Sequence, residues 1–175
     1  MQETENSILK DLTELGDILS RSELLIRLGR RFPGMDDADK NESNLIKDCQ
    51  TNTWVEAWWE DSDGVRINRP EGEVSEKNGP EDDENCSGNG SEKNGSDSAE
   101  CCVGIPPEAV LRMRADSQSL IVKGALALID EIFNGRTRKE VKGYECRLMQ
   151  EECFYALFSD RQRLGMKSII NKLSD

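Results

Sequence analysis

Residues 53–68, TWVEAWWEDSDGVRIN, decide the fold. The sequence before them has helical periodicity, and so does most of the chain after residue 115. TWVEAWWE is instead rich in Trp and Val, and the turn-forming DSDG separates it from VRIN, so the stretch reads as a β-hairpin. Further on, AVLRMRA at 109–115 alternates apolar and polar residues, which predicts another strand of the same sheet. The predicted class is α+β: helices packed on one small antiparallel sheet.

The helices follow from spacing. ETENSILKDLTELG places Ile8, Leu12 and Leu15 on one face, with Gly16 as a stop. In SRSELLIRLGRRFPGM, Ser20 and Glu23 stand at capping-box spacing, the apolar face is Leu24, Leu25, Leu28 and Phe32, and Pro33-Gly34 ends the helix. DSQSLIVKGALALIDEIFNG lines up Leu120, Gly124, Leu128 and Ile132 beside Ile121, Ala125, Ile129 and Phe133. Asp116 or Ser117 caps its start and Asn134-Gly135 its end. Thr137 with Glu140, and Ser159 with Gln162, are further capping boxes. The second precedes a final helix carrying Leu164, Ile169 and Leu173.

Composition changes sharply from Pro70 to Glu100. This stretch holds ten acids and two lysines, repeats SEKNG twice, and has one aliphatic residue larger than alanine, Val74. It cannot bury enough apolar area to offset its ordering entropy, so 70–100 is expected to be a disordered, low-complexity acidic insertion. Residues 1–69 and 101–175 then form one domain. An inserted loop is tolerable because closure entropy grows only logarithmically with length.

The 175-residue chain has a net charge of −12, which makes phosphate backbones and anionic membranes poor partners. No apolar run approaches the roughly 18 residues of a membrane span. The acidic N-terminus has no hydrophobic signal core, so the expected location is cytoplasmic. The absence of histidine removes Ser-His and Cys-His catalysis and any His-ligated metal. No dinucleotide, P-loop or EF-hand motif is present, and no metal site is expected.

Six cysteines remain to be sorted. Cys146 and Cys153, two helical turns apart, are expected to share a buried face. Cys86, Cys101 and Cys102 lie in or beside the insertion and fall short of a four-ligand zinc site. Cys49 stands in a polar loop before the first strand, with no apolar neighbour on either side. Lys47 close by would favour its thiolate and Asp48 would oppose it.

Four blocks carry a family resemblance: LLIRLGRRFPGM, SNLIKDCQTNTWVEAWW, RADSQSLIVKGALALIDEIFNGRTRKEV and SDRQRLGMKSIINKL. They resemble the successive blocks of SufE/CsdE-type proteins, the Fe–S metabolism associated domain, whose fold is SufE/NifU-like. Asn44, Cys49, Gln50 and Trp54 match the family's cysteine block, while Thr51 stands for Ser and Asp48 for the usual Gly. Asp116, Ser117, Ile121, Val122, Lys123 and Gly124 match a second block, and Arg161 is retained from a third.

The resemblance implies a sulfur acceptor that takes persulfide sulfur from a pyridoxal-phosphate cysteine desulfurase (SufS/CsdA-like) onto Cys49. It would stimulate that enzyme and deliver the sulfur to an Fe–S scaffold or another acceptor. Such a carrier is a sulfurtransferase-like partner rather than a stand-alone enzyme. It needs no cofactor of its own, since the pyridoxal phosphate belongs to the desulfurase. Asn44, Gln50, Asp116, Lys123 and Arg161 would bind the partner or anchor the loop. Two other readings stand beside it: a cluster scaffold using the insertion cysteines, and a thiol redox or interaction module in which Cys49 pairs with Cys101 or Cys102.

Overall fold

In the computed structural model, which describes residues 1–67 and 105–174, the central strand is β1, Thr53–Glu60. It pairs antiparallel with β2, Arg66–Ile67, as the hairpin reading requires, and Gly64 supplies the positive φ (76°) of the turn. Along its whole length β1 also pairs with β3, Val110–Ser117, from Thr53↔Ser117 to Glu60↔Val110. The sheet order is β2-β1-β3. The insertion predicted at 70–100, with Cys86, Cys101 and Cys102, lies outside the described residues.

Strand alternation gives the sheet two faces. Leu111, Met113 and Ala115 of β3 and Val55 of β1 are buried under the helices. The opposite face is polar. Trp58 lies there between the guanidinium groups of Arg66 and Arg114, 5.1 and 5.2 Å from its ring centre, and Arg112 pairs with Glu60 at 2.8 Å. Trp58 is thus used in sheet packing, while Trp59 packs against the core.

The described residues form six α-helices: α1 (Gln2–Glu14), α2 (Ile18–Arg31), α3 (Leu120–Phe133), α4 (Arg138–Val141), α5 (Glu152–Tyr155) and α6 (Asp160–Ser174); α3 packs on β3 and α6 on β1, while α1 and α2 pack on α3. The centre is α3, which buries Val122, Ala125, Leu126, Leu128, Ile129, Ile132 and Phe133. It therefore buries more of its circumference than one amphipathic stripe would. Each such aliphatic or aromatic side chain contributes about 1.5–3 kcal/mol by leaving water. α1 adds Ile8 and Leu12, and α2 adds Leu25, with Leu24, Leu28 and Phe32 partly buried beside it. Glu5 of α1 is buried too, its carboxylate accepting hydrogen bonds from Tyr144 Oη, the Arg147 and Leu148 N–H groups and Arg147 Nε.

Several expectations are corrected. α2 is capped by Asp17, which accepts from the Leu19 and Ser20 N–H groups, because the helix begins at Ile18 and Ser20 already lies in its first turn. α3 is capped by Ser119; Asp116 and Ser117 are still in β3, whose pairing with β1 holds them extended. Leu15, Leu120 and Leu164 are exposed, and Met166 and Ile170 fill the α6 interface with Ile169 and Leu173. Cys146 and Cys153 do not share a helical face. Cys146 lies in an irregular segment and Cys153 in α5, each partly buried against the core. Burial pushes the Cys146 thiol up to about 12, which makes it a poor nucleophile. The Thr137/Glu140 and Ser159/Gln162 caps form as read.

α2 and α3 cross on two glycines. A Cβ at Gly29 would stand 2.3 Å from Leu120 O, and one at Gly124 would stand 2.0 Å from Leu25 O. A backbone carbonyl cannot swing aside as a side chain can, so the helices must part if either position grows. Gly124→Ala is therefore expected to lower the unfolding free energy by at least ~2 kcal/mol despite alanine's better helix propensity. An unchanged urea midpoint would contradict this crossing.

Candidate functional site

The Cys49 loop closes on the start of β1. Ile46 N donates to Thr53 O (2.8 Å) and Val55 N to Asn44 O (2.8 Å), so the segment 44–46 runs back along the strand. Asn44 secures the outer turn, its Nδ2 donating to Asp39 O at 2.8 Å. Within the loop, Cys49 N donates to Ile46 O at 3.2 Å. The base is fixed by backbone, and the thiol is carried four residues from Thr53.

Three consecutive loop residues then meet one helix. Ser168 Oγ donates to Asp48 Oδ2 (2.9 Å), and Ser159 Oγ, at the N-terminal cap of α6, donates to Gln50 Oε1 (2.7 Å). Between them Cys49 sits against Gly165, where a Cβ would lie 2.8 Å from Cys49 Cβ and 3.1 Å from Sγ. Cys49 is half-buried and packs against the edge of the core. α6 is held over the strand in turn by Lys172 Nζ, which donates to Val55 O at 2.9 Å. The sulfur itself is met by Thr53 Oγ1 at 3.4 Å, and Thr53 Oγ1 lies 2.9 Å from Ser117 Oγ.

Asp116 and Lys123 form a second cluster. Asp116 Oδ1 pairs with Lys123 Nζ at 2.9 Å and accepts from Ser117 N at 2.8 Å; Oδ2 pairs with Lys40 Nζ at 3.1 Å. Burial alone would raise the carboxyl, but the two ammonium groups and the Ser117 N–H outweigh it and hold it below the usual aspartate range. Gly34 (φ 44°) passes so close that a Cβ would lie 2.8 Å from both Asp116 Oδ2 and Lys123 Nζ. The cluster thus clamps the segment 34–40 onto the start of α3. Arg161 belongs to neither group: it is exposed on the first turn of α6, and Arg163 anchors that region through Tyr155 O, Phe158 O and Asp160.

Thr53, Gly165, Ser159, Ser168 and Lys40 were not among the residues singled out for the site. Gly165 had a readable signal, because a glycine inside a helix costs about 1 kcal/mol against alanine and so points to close packing. The others depend on contacts between residues far apart in sequence. Among the described residues, no cluster of three or more Cys, Asp or Glu side chains could hold a metal ion, and no helix is long and apolar enough to cross a membrane.

The Asp116 cluster has a pH signature. A carboxyl whose folded pKa is depressed contributes fully above the unfolded value of about 3.9, and loses that contribution as pH falls through the lower folded value. Asp116→Asn is expected to cost ~1–3 kcal/mol near neutrality. The penalty should shrink as pH falls below the unfolded value and through the lower folded one, so denaturation curves of the variant and the parent converge in acid. A pH-independent penalty would contradict the ion pairing.

No curated protein matches this chain. Residues 6–71, which include most of α1, all of α2 and the Cys49 loop, match the family model SufE, the Fe-S metabolism associated domain, and this match supports a SufE-type family for the chain.

Proposed function

We propose that the protein is a persulfide carrier that accepts sulfur from a cysteine desulfurase on Cys49 and passes it on for Fe–S cluster assembly. The observation that carries this reading is the setting of Cys49 inside the SufE segment: a loop with a fixed base and a sulfur tucked against Gly165. The chemistry balances without a redox partner. The Cys49 thiolate attacks the terminal sulfur of the donor's persulfide, a new S–S bond forms as the donor's S–S bond breaks, and the donor cysteine leaves as a thiolate. Delivery repeats the step with Cys49 Sγ as the leaving group. Pyridoxal phosphate serves only the partner.

The tucked loop suits the cargo, because an exposed persulfide is readily reduced or oxidised further. Docking on the desulfurase is expected to draw the loop away from α6, with Gln50 and Asp48 exchanging their serine partners. Asn44 holds the hinge, and the Asp116–Lys123 clamp fixes the wall behind it. Arg161, exposed on the first turn of α6, is available to the partner. Free thiols suit a reducing compartment, the cytoplasm being the simplest.

Incubation with a desulfurase and cysteine is expected to add the mass of one sulfur atom to the peptide containing Cys49. Cys49→Ser should abolish stimulation of the desulfurase while leaving the thermal midpoint within a few degrees. Sulfur accumulating on another cysteine, with Cys49 unmodified, would end the reading. Alkylation of Cys49 should accelerate when desulfurase is added; equal rates would argue against loop extension.

A further inference from the structure

Thr53 is fully buried at the first position of β1, and its hydroxyl has more neighbours than protons to give. Oγ1 lies 3.0 Å from Thr51 O, 3.4 Å from Cys49 Sγ and 2.9 Å from Ser117 Oγ. Ser117 Oγ accepts from Ser119 N at 3.3 Å, and its own proton has two possible acceptors, Thr53 Oγ1 at 2.9 Å and Asn52 O at 3.4 Å. The shorter distance favours Thr53. That leaves the Thr53 proton to divide between the Thr51 carbonyl and the cysteine sulfur.

The charge on sulfur decides which one receives it. A neutral thiol is a weak acceptor, so the carbonyl wins. A thiolate turns the contact into a charge-assisted hydrogen bond, roughly twice as strong as a neutral one. Rotation about one C–O bond redirects the proton, and no heavy atom has to move.

We propose that Thr53, backed by Ser117, is a catalytic residue of the sulfur-transfer site, donating its hydroxyl proton to Cys49 Sγ whenever negative charge resides there. This rests on Cys49 being the sulfur-accepting thiol. The hydroxyl acts in both directions of transfer. During acceptance it raises the thiolate fraction, at some cost in nucleophilicity. During delivery the acceptor's thiolate attacks the terminal sulfur and the persulfide S–S bond breaks. Cys49 Sγ then departs with the electron pair, and the Thr53 proton meets the charge as it forms. A stabilised leaving thiolate departs faster, so delivery gains more than acceptance.

The test follows alkylation of Cys49 by iodoacetamide across pH, read on the Cys49 peptide by mass spectrometry. Thr53→Val keeps shape, burial and strand preference but removes the proton. Thr53→Ser keeps the proton and removes the methyl. In T53V the profile should move up by about one pH unit, with the rate on its acidic limb falling roughly threefold because higher nucleophilicity offsets about half the loss of thiolate. T53S should overlay the parent. Coincident T53V and parent profiles, or equal shifts in T53V and T53S, would reduce Thr53 to a packing residue and overturn the proposal. Sulfur loading of the parent by a desulfurase is measured separately. Should loading fail while the T53V profile moves, the carrier reading falls and the hydroxyl's effect on the thiol stands.

Discussion

The antiparallel pairing of β1 with β3 is the constraint on which the rest depends. It joins two parts of the chain separated by residues 61–109, and only one register buries Val55, Leu111, Met113 and Ala115 together. That register puts Thr53 opposite Ser117 and Trp54 opposite Asp116. Gln118 N then donates to Asn52 O at 3.1 Å, tying the start of α3 to the end of the cysteine loop. A slip of one residue would expose the apolar set and separate the two hydroxyls at the sulfur. The core and the site are thus fixed by the same ladder.

Small residues set the other distances. Gly29 and Gly124 bring α2 and α3 to backbone contact, and Gly124 directly follows Lys123, whose ammonium must reach Asp116. Gly34 lets the chain pass over that ion pair. Gly165 admits the Cys49 side chain to the surface of α6 at the cost of helix propensity. In each case a Cβ would displace a backbone or a functional side chain, so the absence of a side chain has a structural consequence.

Local signals in the sequence were legible because their causes are local. The hairpin of 53–68, the Thr137/Glu140 and Ser159/Gln162 boxes and the Asn134-Gly135 ending need only neighbours within a few residues. Cys49 stood out by its polar surroundings, and the family resemblance agrees with the SufE match over residues 6–71. Ser20 and Asp116 failed as caps for a different reason. Each had suitable chemistry, but Asp17 lies at the true helix start, and strand pairing claims Asp116 before α3 begins. Lys40, in the polar stretch before the cysteine loop, and Ser168, on a helix face read only for its apolar residues, reach their carboxylates across 76 and 120 positions. No periodicity encodes such pairs.

The two halves of the Cys49 loop are held with different strength, and this suits a carrier. At its base, backbone hydrogen bonds between Ile46 and Thr53 and between Asn44 and Val55 continue the sheet. Towards α6, among the described residues, the hydrogen bonds are two exposed side-chain ones, from Ser168 and Ser159, beside the close approach of Cys49 to Gly165. Exposed hydrogen bonds contribute about 0.5–1.5 kcal/mol each, so the outer half can release at a small fraction of the cost of unfolding. The hydroxyl that meets the sulfur is on β1, at the fixed base, and not on α6. Parting the loop from α6 therefore opens the side of Cys49 that Gly165 covers and removes none of the backbone hydrogen bonds that hold Thr53 in place.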